Sequence, residues 1–289
     1  MPRLHIALVA LLALTGPVAA QTTETAPPVA TGAEVSAEMA AVIQALRLAD
    51  LFAVLRDEGL AYGTTLETDM FPGGGGAAWP EAVSQIYDVP TLRARFDAVL
   101  QAELGSDTEI LRDLLDFYES DLGKRVVGLE IDARRAFIDD AAEDAARVAA
   151  DRRRAENDPR HDQLERFIAA GDLLEMNVAG ALSGNLAFLT GMNETGLYDE
   201  ALPQADIMAD VWGQEEQIRS DTTSWLHAFL GLAYQPLTEA ELDAYIAFME
   251  SPAGQRLNAA LFLAYDQVFR QVSQDLGRAA GLAMQGRDI

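Results

Sequence analysis

The 289 residues carry 46 Asp and Glu against 21 Lys and Arg, a formal charge of −25, and no cysteine. That balance repels nucleic-acid phosphates and anionic membrane surfaces, and favours basic partners or loosely held cations. Without cysteine there can be no disulfide, no thiolate nucleophile, no Cys-based metal site and no lipidated N-terminal Cys.

Residues 1–20 read as an export signal. Arg3 supplies the positive charge, residues 6–14 the apolar stretch, Gly16-Pro17 the break and Val18-Ala19-Ala20 the cleavage site. The apolar run is shorter than the roughly 20 residues that a spanning helix needs. The expected mature chain therefore starts at Gln21, is periplasmic or secreted, and has no integral membrane segment; a retained anchor is the alternative. Residues 21–36, rich in Thr, Pro and Ala, read as a disordered leader.

Beyond the leader the apolar spacing is helical almost everywhere, with no alternating β-branched runs. A helix is predicted over 37–68, with Gly73-Gly74-Gly75-Gly76 breaking the chain after it. Pro80 starts a short helix, and Pro90 or Thr91 another that reaches about Leu104. Ser106 lies three residues before Glu109, a capping-box spacing, with Asp107 as a competing cap. The apolar face that follows is Leu111, Leu114, Leu115 and Tyr118. Thr238 and Glu241 form a second box, and Leu242, Tyr245, Ile246 and Met249 each lie 131 residues beyond that first face.

A nine-residue string repeats with the same step. Phe117 to Arg125 (Phe-Tyr-Glu-Ser-Asp-Leu-Gly-Lys-Arg) returns as Phe248 to Arg256 (Phe-Met-Glu-Ser-Pro-Ala-Gly-Gln-Arg). It reads as a helix-to-helix joint. Ser120 and Ser251 are N-caps, Pro252 suits the first helical position, and Asp121 takes its place in the first copy with a charge that the helix dipole favours. Gly123 and Gly254 then fall in the first turn, where glycine costs about 1 kcal/mol relative to alanine. Their recurrence points to close approach by another backbone. The pair Glu119 and Arg125, recurring as Glu250 and Arg256, reads as a salt bridge or helix-end charge pairing that sets the bend, with a docking site repeated in each half as the alternative.

Upstream the halves stay collinear with a smaller step. Trp79-Pro80 answers to Leu202-Pro203, and Asp50-Leu51 to Asp172-Leu173. Residues 139–157 extend the preceding helix, with Glu143 and Arg147 in the favourable i, i+4 order. Asp158-Pro159 caps and starts the next helix. The expected fold is all-α: two tandem copies of a related helical unit, residues 37–157 and 158–289, packed together because a lone unit would leave its apolar faces uncovered.

The string Leu237-Thr238-Glu239-Ala240-Glu241-Leu242, followed by Phe248 to Arg256, resembles the DUF 2059 family of exported bacterial proteins. The second copy keeps Phe248, Ser251, Pro252 and Gly254 of that family's signature. The first keeps Phe117, Tyr118, Ser120 and Gly123 but has Asp121 in place of the proline, a degenerate form. The resemblance implies an all-helical fold and export, and it implies no activity.

Sequence assigns no catalytic residue, no cofactor and no metal site. Asp221, Ser224 and His227 have a tempting spacing on one helix, but Asp221 reads as the helix N-cap and nothing presents Ser224 for attack. His161 reads as a solvated first-turn residue. The two histidines are far apart in the chain, and neither His-Glu-x-x-His nor a calcium loop occurs. The glycine run lacks the strand and the Gly-Lys-Ser/Thr of a phosphate loop. Leu182, Leu186, Phe188, Leu189, Met192, Leu197 and Tyr198 form an apolar stretch that reads as core, with a groove as the alternative. The expected function is an exported, non-enzymatic protein-interaction module. A carrier of an apolar small molecule or lipid held between the halves is the second reading, and a serine hydrolase built on Ser224 and His227 the third.

Overall fold

A computed structural model describes residues 36–198, 200–287 and 289; the expected signal at 1–20 and the leader up to residue 35 lie outside the described residues. Within them the fold is all-α, and no helix is long and apolar enough to cross a membrane. The helices are α1 (Ala37–Ala45), α2 (Leu48–Met70), α3 (Ala78–Ile86), α4 (Val89–Leu104), α5 (Thr108–Tyr118), α6 (Asp121–Ala136), α7 (Asp140–Ala155), α8 (Pro159–Ala170), α9 (Leu173–Glu194), α10 (Gln204–Trp212), α11 (Glu215–Ala233), α12 (Glu239–Met249) and α13 (Pro252–Met284).

The predicted single helix over 37–68 is two helices. Leu46 and Leu48 are both buried. On a continuous helix, residues two apart point about 200° from each other, so both cannot face one core. A left-handed Arg47, with φ at 50°, breaks the helix and turns both leucines inward. Asp172, φ 45°, makes the same kind of break between α8 and α9. Residues 139–157 likewise do not continue α6: the chain turns at Phe137–Asp139, and the Asp139 carboxylate caps α7 by accepting from the Ala141 N–H at 2.9 Å. Of the two candidate caps for α5, Asp107 is used. The Thr238–Glu241 box forms in full, and Asp158 and Pro159 open α8 as expected.

One apolar cluster gathers buried residues from both halves of the chain, from Met39 on α1 to Ala283 on α13. The last helix, α13, lies against α9 in its own half and against α3, α4 and α5 in the other. The α9–α13 crossing is a backbone contact. A Cβ on Gly277 would stand 2.0 Å from the Phe188 carbonyl oxygen, and one on Gly191 would stand 2.1 Å from that of Gln274. The apolar stretch at 182–198 is thus mostly core, with Phe188 and Met192 buried and Tyr198 at the surface.

Candidate functional site

The two signature copies build matching corners. In each, a serine hydroxyl donates to the carbonyl that ends one helix and accepts from the N–H that begins the next. Ser120 Oγ donates to Phe117 O (2.6 Å) and accepts from Gly123 N (3.0 Å); Ser251 Oγ donates to Phe248 O (2.6 Å) and accepts from Gly254 N (3.1 Å). The glycines follow from this closeness, because a Cβ at either position would stand 2.1 Å from that same Phe117 or Phe248 oxygen. Pro252 occupies the first turn of α13.

The corners also meet. The Phe117 and Phe248 rings stack with centroids 3.7 Å apart and planes 5° from parallel, a contact that sequence reading did not anticipate. The arginines do not pair with Glu119 and Glu250. Arg125 instead reaches Glu241 (2.5 Å) and the carbonyl of Pro236 (2.5 Å), while Arg256 donates to the carbonyl of Glu103 (2.9 Å). Each therefore ties its corner to the segment leading into the other copy's motif helix. The expected charge pair fails because both arginines have a nearby carbonyl acceptor across the interface.

Beneath the corners lies a buried acid. Glu130 of α6 is 3% exposed, and its Oε1 accepts from the hydroxyls of Tyr234 (2.7 Å) and Tyr245 (3.0 Å). Its Oε2 is buried without a hydrogen-bond partner. Burial pushes the carboxyl up to about 7, against the lowering effect of the two phenols. The adjoining cavity, lined by leucines of α2, by α6 and by Leu261 and Tyr265 of α13, is only about 20 Å³. That is room for about one water.

Asp221, Ser224 and His227 do not assemble into the triad that the sequence reading had set aside. Helix α11 begins at Glu215, so Asp221 lies in its interior rather than at its N-cap. Ser224 Oγ accepts from Arg147 (2.9 Å), and Asp221 Oδ1 accepts from Gln217 (2.9 Å). His227 turns instead toward α8, with its Nε2 2.9 Å from Glu165 Oε1.

There it meets His161. The imidazole centroids are 4.7 Å apart, and His161 Nε2 lies 3.8 Å from the same Glu165 oxygen. His227 is 9% exposed, and its Nδ1 is buried without a partner. Burial, the largest influence, lowers its proton affinity; neighbouring Glu165 opposes that. These three side chains are the one group of metal-ligand type among the described residues. They border a pocket of about 470 Å³ closed by Asp151 and Arg154 of α7 and by Ser220, Thr223 and Ser224 of α11. Sequence reading missed this group because 66 residues separate the histidines. The signal present was His161-x-x-x-Glu165, an i, i+4 pair on one helical face.

Residues 90–151 match DUF2059, an uncharacterized protein conserved in bacteria. The match runs from α4 into α7 and so takes in the first corner. The DUF2059 resemblance was read most fully from the second copy, yet the matched segment holds the copy that lacks the proline. The first corner forms without the proline: with Asp121 in its place, Ser120 and Gly123 make the same bonds as Ser251 and Gly254. No curated protein and no solved structure matches the chain.

Proposed function

We propose that this is an exported, non-enzymatic module that docks a basic amphipathic helix of a protein partner. The observation that carries the reading is the outer face of α10. Met208 and Trp212, an i, i+4 pair, are 42% and 55% exposed, and Leu202 just before the helix is 41% exposed. Ile207 and Val211, one residue earlier in each case, are buried on the adjoining side and anchor the helix. An outward tryptophan beside a methionine gains nothing from water and is the composition of an interaction hot spot. Asp206 and Asp210 are exposed on the far side of α10, so the preference for a cationic partner rests on the charge of −25 carried by the whole chain. The carrier alternative is less well supported: the cavity beside Glu130 takes about one water, and the larger pocket shared by α7, α8 and α11 is lined almost wholly by charged and polar side chains, which do not suit an apolar ligand.

A fluorescein-labelled Leu/Lys amphipathic helix serves as the probe, followed by anisotropy. Trp212→Ala should weaken binding about 30-fold, the equivalent of roughly 2 kcal/mol for a hot-spot aromatic. Equal binding by wild type and a Met208→Ala/Trp212→Ala variant refutes the docking face. Export rests on residues 1–20, and N-terminal sequencing of the protein from its host should begin at Gln21.

A further inference from the structure

We infer that His161, Glu165 and His227 form a binding site for one divalent first-row transition-metal ion, zinc being the best match. Two imidazoles and one carboxylate are the donor set of open zinc centres, which keep a fourth position for water or another ligand. Oxygen-seeking calcium and magnesium are poorly served by imidazole.

The spacing fits. Donors bound at about 2.0–2.1 Å in a tetrahedron stand roughly 3.3 Å from one another. The two nitrogen-to-oxygen separations here are 2.9 and 3.8 Å, and all three donor atoms lie within 4.8 Å. Small side-chain rotations close that gap, and Glu165, with 54% of its side chain exposed, is not packed in place. His227 is held by its burial, and His161 is placed by α8, whose first turn is set by the Asp158 cap and Pro159. The fourth position opens into the pocket beside Ser220, Thr223 and Ser224. At its rim Asp151 offsets Arg154, the two forming an ion pair at 3.0 Å. The site joins α8 to α11 and lies apart from the α10 face.

Zinc titrated calorimetrically into the purified chain tests this, in excess calcium so that diffuse carboxylate binding on the acidic surface is already saturated. One calcium-resistant zinc per chain is expected. His161→Ala and Glu165→Gln should each weaken it by tenfold or more, at least the loss that disturbing a ligand's second shell produces. Both positions are more open than His227, so metal-free melting temperatures should stay at the wild-type value and separate lost binding from lost fold. Cobalt(II) bound at the site should give the intense visible bands of tetrahedral coordination, and His161→Ala should abolish them. Absence of calcium-resistant zinc binding, or equal binding by the His161→Ala/Glu165→Gln double variant, overturns the assignment.

Discussion

Replacing Glu130 by Gln removes a charge from the centre of the core while keeping its shape. The carboxyl titrates near 7 in the folded chain and near 4.5 as an ordinary carboxyl group. Between those values the native state holds a proton that the unfolded chain has already released, so stability falls as pH rises. The favourable contribution is complete below about pH 4.5 and lost by about pH 7. The difference of about 2.5 pH units corresponds to roughly 3 kcal/mol at 1.36 kcal/mol per unit. The Gln carbonyl can still accept from Tyr234 and Tyr245, but its amide places two donors at the buried position where Oε2 has no hydrogen-bond partner. Leaving them unmet costs about 1 kcal/mol or more. Glu130→Gln should therefore be about 2 kcal/mol more stable than wild type near pH 8, and no more stable, or slightly less, near pH 4.5. The measurement is urea unfolding of both proteins across that range, followed by intrinsic fluorescence. Every other titrating group is shared, so the difference between the curves isolates Glu130. A difference that does not change with pH would refute the assignment of a raised carboxyl.

Gly123→Ala and Gly254→Ala should each cost more than about 2 kcal/mol, because the new methyl meets a carbonyl oxygen already engaged by a serine. Gly128→Ala is the control: the nearest atom is the tip of Arg47 at 3.5 Å, so thermal melting should show no loss and up to about 1 kcal/mol of gain. In a double-mutant cycle, Phe117→Leu and Phe248→Leu should show a coupling of about 1 kcal/mol from the stacked rings, and additive losses would deny that the corners support one another.

Much of the local structure was legible because it is decided within a few residues. Ser120, Ser251, Thr238 and Asp158 cap the helices they were read to cap, and Glu143 pairs with Arg147 one turn on. The glycine of each corner signalled a close backbone, and the carbonyl ending the preceding helix is that backbone. Errors arose where the decision lay with a distant surface. The breaks at Arg47 and at Phe137–Asp139 follow from which side chains the rest of the fold can bury, and neither is marked by a glycine or a proline. Asp221 has the chemistry of a cap but sits inside a helix that begins six residues earlier, at Glu215.

Sequence alone determined the helical class, the helix starts capped by Ser120, Asp158, Thr238 and Ser251, and the two corners, because periodicity, capping hydrogen bonds and glycine sterics act over three or four residues and are insensitive to the rest of the chain. Tertiary structure decided what those helices do together. It stacked Phe117 on Phe248, drew Arg125 and Arg256 across the interface, shut Glu130 away from water, and brought His161 and His227 to one carboxylate. Those pairings depend on which buried faces of distant helices fit one another, and side-chain chemistry read along the chain carries no measure of that fit.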